Sequence, residues 1–208
     1  MRRPLLEFWY EFASTYSYLA AMRIEEAAEA AGVSLVWRPF LLGPIFAAQG
    51  WTTSPFNLYP DKGRYMWRDM EREAATLGLP FCRPEPFPQN SLLAARVALV
   101  GAEQGWIPAF TRAVFQAEFG RGRNIGDPAL LSGILTDLGV DADTVLAEAQ
   151  TDANKARLRR AGEEAQARGL FGAPSFVADD REVFWGNDRL ERALAWAVAH
   201  GRRSDWPV

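Results

Sequence analysis

Residues 6–26 read LEFWYEFASTYSYLAAMRIEE, and within this stretch a strand pattern passes into a helix pattern without an intervening glycine. Apolar and acidic residues alternate in its first half, which predicts a β-strand over residues 5–12. Small and apolar residues then recur at helical spacing, which predicts a helix over residues 16–31 that ends at Gly32. The following VSLVWRPF predicts a second strand over residues 34–39. The chain therefore opens with a β-α-β unit, whose two strands we expect to be parallel.

The pattern beyond this unit is first helical and then returns to strands. Residues 41–57 contain two prolines and two glycines, which predict a loop or a short helix. Residues 61–168 show helical spacing almost without interruption and contain no strand candidate. After them, GAPSFVADDREVFWG predicts a hairpin whose strands cover residues 175–178 and 182–185.

Without the helical block, the order of elements is β-α-β followed by β-β-α, with a last helix that Asn187 or Asp188 is suited to cap. This is the order of elements in a thioredoxin fold. We therefore predict an α/β protein with a thioredoxin-like domain formed by residues 1–60 and 169–208. An all-helical domain, residues 61–168, is inserted between its two halves.

The composition excludes several classes of function. The 208 residues carry a formal net charge of -3, so no general basic field attracts nucleic acid, and no stretch of about 18 apolar residues predicts a membrane span. We therefore expect a cytoplasmic protein that binds neither nucleic acid nor a membrane. A single cysteine, Cys82, cannot form an internal disulfide or a dithiol pair, and its expected role is that of a partly buried structural thiol. A single histidine, His200, leaves no histidine-rich metal site, and we predict no metal.

The turn after the first strand carries the quartet Ser14-Thr15-Tyr16-Ser17. In a thioredoxin fold this turn places the reactive group at the N-terminus of the next helix, where backbone N–H groups stabilise an anion. Here serine occupies both cysteine positions. A serine hydroxyl without a histidine base is a poor nucleophile, but it is a good hydrogen-bond donor to the thiolate of another molecule. The alternative is that Ser14 only caps the helix.

The second half of the predicted thioredoxin domain brings a proline to the start of a strand. Ala173-Pro174 stands immediately before residues 175–178, and we expect its peptide bond to be cis, with the preceding backbone open to an extended ligand. An ordinary loop proline is the alternative.

Four motifs along the chain carry a resemblance to a known family: EFASTYSYLA, DKGRYMWRDMER, LFGAPSF and VFWGNDRLE. In this order and over nearly the whole chain, they resemble the 2-hydroxychromene-2-carboxylate isomerase family. That family is related to the kappa-class glutathione transferases within the DsbA-like thioredoxin superfamily. The resemblance implies glutathione as the cofactor.

The same resemblance implies a role in glutathione binding for several residues. It implies that Ser14 holds the sulfur as a thiolate and that Lys62 binds the glycyl carboxylate, for which an ammonium group is suited. Ala173, beside Pro174, would offer its backbone N–H and C=O to the cysteinyl part.

The γ-glutamyl end of glutathione would be bound at the start of the last helix. The resemblance implies that Asp188 pairs with its ammonium group, while the Asn187 amide and the helix N–H groups meet its carboxylate. The family also has an asparagine about nine or ten residues before the lysine, and this chain does not. Thr52, Thr53 and Asn57 are the candidates to replace it, and we select Thr53 for the site.

The leading functional hypothesis is a glutathione-dependent isomerase of small aromatic carboxylates, assembled as a homodimer. A kappa-like transferase that releases the glutathione adduct is the second hypothesis. The third hypothesis is a binding module without catalysis, and the missing asparagine supports it. The retained lysine, proline and Asn-Asp pair argue against it.

Overall fold

The computed structural model describes residues 3–201, and a four-stranded mixed sheet lies at its centre. The strands are β1 (Leu5–Tyr10), β2 (Ser34–Pro39), β3 (Ser175–Ala178) and β4 (Val183–Trp185), in the spatial order β2-β1-β3-β4. β1 pairs parallel with β2 and antiparallel with β3, and β3 pairs antiparallel with β4. The predicted β-α-β unit and hairpin are thus confirmed.

The first strand is shorter than predicted. It ends at Tyr10 rather than at residue 12, because the chain turns there and the N–H of Ser14 donates to the carbonyl of Glu11 at 3.0 Å. β2 and β3 have their predicted bounds, and β4 begins one residue later than predicted.

The helix predicted over residues 16–31 is two helices, α1 (Thr15–Ala21) and α2 (Ile24–Ala31). The break falls at Arg23, whose backbone is not helical and whose guanidinium reaches away to Asn187. The prediction of one helix was wrong because neither glycine nor proline marks the break. The predicted end at Gly32 is confirmed, and this residue has the left-handed conformation that favours glycine (φ 68°).

Between β2 and β3 the described chain is helical and contains no strand. The helices are α3 (Leu42–Ala48), α4 (Pro55–Leu58), α5 (Pro60–Thr76), α6 (Leu92–Gln104), α7 (Ile107–Phe115), α8 (Pro128–Asp137), α9 (Ala142–Ala149) and α10 (Asp152–Ala167), with a π-helix over Gln116–Gly120. This arrangement is the predicted helical insertion in an α/β fold. Its exact division at residues 60 and 169 stays a prediction.

One part of the insertion, residues 79–91, contradicts the prediction of nearly uninterrupted helix. It contains four prolines, which remove backbone donors and so prevent a helix here. Cys82 lies in this segment and is exposed, so the prediction of a partly buried thiol was wrong.

The last helix begins differently from the prediction. Asn187–Arg189 form a single 3-10 turn, and α11 follows as Leu190–His200. Neither Asn187 nor Asp188 caps a helix through its side chain: Gly186, with φ 110°, precedes the 3-10 turn, and Arg189 precedes α11. A side chain rarely adopts this φ, so the entry to the turn favours glycine; a β-carbon would also lie 2.6 Å from Asp188 Oδ1, which would have to move.

Both faces of β1 are covered, so its side chains are buried on both sides of the sheet. Phe8 and Tyr10 belong to the larger hydrophobic core, and Trp9 belongs to a second core that includes Phe40 and Val177. All of these side chains are almost completely buried. None of the helices in the described part of the chain is long and apolar enough to cross a membrane.

Glu7, on the Trp9 face of β1, is buried but fully paired. Its carboxylate accepts from Arg38 at 2.9 Å, from Arg168 at 2.7 Å and from the Trp9 indole at 2.9 Å. Arg168 directly follows α10, so this network ties the end of the helical insertion to the central strand. It thereby fixes the start of the segment that leads to Ala173.

Candidate active site

Ser14 stands where the chain leaves the central sheet and enters α1. Its backbone is extended (φ -96°, ψ 116°), and its hydroxyl oxygen accepts from the N–H of Ser17 at 3.3 Å. Ser14 is therefore the N-cap of α1, which is the simpler of the two roles considered from the sequence. Capping uses the oxygen as an acceptor only and leaves the hydroxyl proton free to bind elsewhere.

The hydroxyl proton of Ser14 connects the two halves of the thioredoxin domain. Ser14 Oγ donates to the carbonyl oxygen of Ala173 at 3.0 Å, across 159 positions of sequence. The Ala173-Pro174 peptide is cis, as predicted. The structure thus brings together Ser14, Ala173 and Pro174.

Thr15 does not add a hydroxyl beside this contact. Its side chain is buried and lies 3.3 Å from the Met66 sulfur on α5. Lys62 is one helical turn before Met66, so the two side chains project from the same face of α5. Lys62 therefore lies on the side of α5 that faces the start of α1, and it is exposed.

Lys62 also lines an open cleft of about 630 Å³, together with Trp51, Tyr59, Pro60 and Asp61. Asp61 is paired with Arg64, and no ion pair in the described chain engages Lys62. Its ammonium group is thus free to meet an anionic group of a ligand, beside the apolar surface of two aromatic rings.

Of the three candidates for the missing asparagine, Asn57 is already occupied. Its amide nitrogen donates to Thr53 Oγ1 at 3.2 Å and to the Phe87 carbonyl at 3.0 Å. Thr53 accepts from Asn57, so its own hydroxyl proton remains available. Thr52 is exposed. This geometry favours Thr53 over Asn57 as a donor to a ligand.

Asn187 is held in place by a residue that the sequence did not indicate. Arg23 donates from Nε to Asn187 Oδ1 at 3.1 Å and from a terminal nitrogen to the Asn187 carbonyl at 2.7 Å. Arg23 also pairs with Glu191 on α11. Because the Asn187 oxygen is taken, its amide nitrogen is the group left for a ligand carboxylate.

Asp188 points to solvent, with 72% of its side chain exposed, and pairs with Arg189 at 2.6 Å. This pair is solvent-screened and therefore weak, so a ligand ammonium group can compete for the carboxylate. The Arg23–Asn187 bonds hold the segment that carries Asp188 near the C-terminal end of α1. The Thr15–Met66 contact holds α5, which carries Lys62, near the N-terminal end of α1.

Glu11 is the second residue that the sequence did not indicate. The alternating pattern placed it on a polar strand face, but it lies beyond β1 and is buried. Its carboxylate accepts from the Ser91 hydroxyl, from Leu42 N–H at 2.9 Å and from Ala13 N–H at 3.4 Å. Burial raises the pKa of the Glu11 carboxyl, and these hydrogen bonds oppose the shift. The only signal for this role in the sequence is that Glu11 lies three residues before the serine that caps α1.

The fold and this site define the class of protein. A DsbA-like thioredoxin domain matches residues 5–195, and the chain therefore belongs to the DsbA-like thioredoxin family. A solved 2-hydroxychromene-2-carboxylate isomerase superposes with a TM-score of 0.83 at 25% identity, covering 92% of this chain and 93% of the other. A probable DsbA oxidoreductase from Streptomyces coelicolor shares the fold, with a TM-score of 0.77 at 22% identity and coverage of 99% and 94%.

Sequence relatives narrow the position of the chain within that family. The 2-hydroxychromene-2-carboxylate isomerase of Sphingobium xenophagum is 32% identical over 89% of this chain and 94% of the relative. Human glutathione S-transferase kappa 1 is 26% identical over 89% of this chain and 87% of the relative. The predicted resemblance to the isomerases and their kappa-class relatives is thus confirmed.

Proposed function

We propose that this chain is a glutathione-dependent isomerase of 2-hydroxychromene-2-carboxylate-like compounds, with Ser14 as the residue that stabilises the glutathione thiolate. The observation that carries the proposal is the hydrogen bond between Ser14 Oγ and the Ala173 carbonyl. It places a hydroxyl donor beside a backbone carbonyl that precedes β3, in the open segment where an extended ligand can pair with the backbone.

The chain's residues fit the tripeptide at several points. The N–H of Ala173 is engaged by no hydrogen bond within the described residues, and a ligand N–H can replace Ser14 on the Ala173 carbonyl. That exchange frees the Ser14 hydroxyl to donate to sulfur. Ligand binding at the backbone and stabilisation of the thiolate are therefore coupled through one serine.

The ends of the tripeptide would meet charged side chains of opposite sign. Lys62 supplies a cation for the glycyl carboxylate, and Thr53 is the proposed further donor to the ligand. Asp188 supplies an anion for the γ-glutamyl ammonium group, and the Asn187 amide nitrogen donates to the adjoining carboxylate. Since Arg23 fixes Asn187, this end of the site is organised before ligand binds.

Bound glutathione would supply a thiolate that adds reversibly to the conjugated substrate and so permits rotation about a double bond. Ser14 then acts by lowering the free energy of the thiolate relative to the thiol, because a hydrogen bond to the charged form favours it. Lys62 and Asp188 hold the two ends so that the sulfur has one position.

A kappa-like transferase is the second candidate, because two relatives are named kappa-class glutathione S-transferases. The two activities differ in the fate of glutathione, which an isomerase returns and a transferase consumes. We also propose a cytoplasmic homodimer, whose mass in solution can be measured by light scattering.

The test is to incubate the protein with 2-hydroxychromene-2-carboxylate, with and without glutathione, and to follow substrate, product and free thiol by chromatography. We expect turnover only with glutathione and no loss of thiol over many turnovers. Stoichiometric loss of thiol would assign the transferase. Turnover at the same rate without glutathione would contradict both candidates.

A further inference from the structure

The most unusual buried group in the described chain is Glu118, in the π-helix Gln116–Gly120. Its side chain has no exposed surface, and both carboxylate oxygens lack a hydrogen-bond partner. Buried charges in proteins are normally paired, as Glu7 is with two arginines. Glu118 therefore needs a different explanation.

The π-helix accounts for the inward position of this residue. Ala117, Glu118 and Phe119 are consecutive and all are fully buried. A π-helix has a wider turn than an α-helix, and short π-helices recur at functional sites. The extra turn width directs the acid toward the protein interior, at the end of α7.

The turn that carries Glu11 packs against the end of α7, just before the π-helix, since the ring centroids of Phe12 and Phe115 lie 5.2 Å apart. The Glu11 carboxylate is where three segments meet: the turn before Ser14, the start of α3 and residue Ser91. Its donors satisfy a negative charge, whereas no residue in the described part of the chain donates to the Glu118 carboxylate. Hydrogen bonding to the charged form therefore favours a negative charge on Glu11 over one on Glu118.

Burial first, and then the Glu11 charge, raise the pKa of the Glu118 carboxyl well above its usual value. The elements packed against the π-helix bring Tyr18, which stacks on Phe119 at 5.8 Å, and Cys82, whose N–H bonds the Phe119 carbonyl. Arg121 follows the π-helix directly. None of these is a hydrogen-bond partner of the Glu118 carboxyl.

We propose that Glu118 is a positioning residue of the candidate site: a neutral buried acid that leaves Glu11 as the single negative charge holding the turn before Ser14. The expected effect of Glu118 on catalysis rests on the proposed function, whereas the expected distribution of charge between Glu11 and Glu118 does not. Glu118 belongs to the helical insertion and does not touch a ligand. It helps to order the turn before Ser14 through its effect on Glu11.

The first test uses Glu118→Gln, which keeps the shape and removes the titration. An acid with a raised pKa in the folded state keeps its proton while the unfolded chain loses it. Stability therefore falls as the pH rises from about 4.5 to the folded pKa of Glu118. Glu118→Gln removes that loss, so its urea midpoint should rise relative to the wild type as the pH increases. The exposed Glu163→Gln is the matched control and should follow the wild type.

A constant difference between Glu118→Gln and the wild type from pH 5 to pH 8 would overturn the proposal, because Glu118 would then titrate normally. This measurement needs no glutathione, so it stands even if the proposed function fails.

The second test separates positioning from simple filling of space. Glu118→Ala should lower kcat by about tenfold with little change in the glutathione KM, and Glu118→Gln should restore most of kcat. Equal loss in both variants would contradict a neutral role for this acid. If Glu118→Ala does not fold, the unfolding comparison decides the question.

Discussion

The contact between Ser14 and Ala173 differs from the cleft beside Lys62 in how many partners its side chain already has. Ser14 is bonded on both sides, to the Ser17 N–H and the Ala173 carbonyl, next to buried residues. Lys62 is exposed and lies in an open cleft without an ion-pair partner in the described chain. The first region is organised before a ligand arrives, whereas the second must be ordered by it. We expect chemistry to depend on the first and affinity to be spread over the second.

The largest effect should come from removing the Ser14 hydroxyl. Ser14→Ala should lower turnover at neutral pH by roughly ten- to a hundredfold, because a thiolate pKa one to two units higher leaves less thiolate. Activity should partly recover as the pH rises, which the loss of a helix cap cannot produce. Ser17→Ala, three residues along the same helix, removes an unpartnered hydroxyl and is the control. A loss of activity in Ser14→Ala that does not depend on pH would mean that Ser14 only caps α1.

An intermediate effect should follow from Asp188→Ala. Loss of a charge-assisted hydrogen bond to the γ-glutamyl ammonium group should weaken glutathione binding by roughly tenfold, less than for a buried pair because Asp188 is exposed. Calorimetry of the variant measures this change, with the exposed Asp143→Ala as control. Unchanged affinity would remove Asp188 from the site.

The smallest effect should come from Lys62→Gln. An exposed ammonium group should contribute about two- to fivefold to glutathione affinity, and this contribution should shrink at high salt. The chain's other lysine, Lys155, pairs with Asp152 at 3.2 Å and offers a matched Lys155→Gln control. If Lys62→Gln abolished binding, the contrast between an organised and an open region would be wrong.

Much of the site could be predicted because the fold itself imposes it. The strand-to-helix turn at Ser14 and the proline before β3 are local signals, and a thioredoxin topology brings those two places together. The parts that were missed depend on tertiary contacts. The helix breaks at Arg23, where the sequence pattern predicts that it continues. In the sequence Glu118 resembles a solvent-facing acid, and only the π-helix of the folded chain directs it inward. No glycine or proline marks the break at Arg23, and Gly120 within the π-helix does not by itself predict that Glu118 is buried.

The most direct test of the account is the titration of glutathione bound to the wild type and to Ser14→Ala, followed by thiolate absorbance in the ultraviolet. If Ser14 donates to the sulfur, the bound thiol in Ser14→Ala should have a pKa about one to two units higher than in the wild type. The affinity for glutathione should change less, because its backbone and terminal contacts lie elsewhere. Coincident titration curves in two folded, glutathione-binding proteins would contradict the role assigned to Ser14.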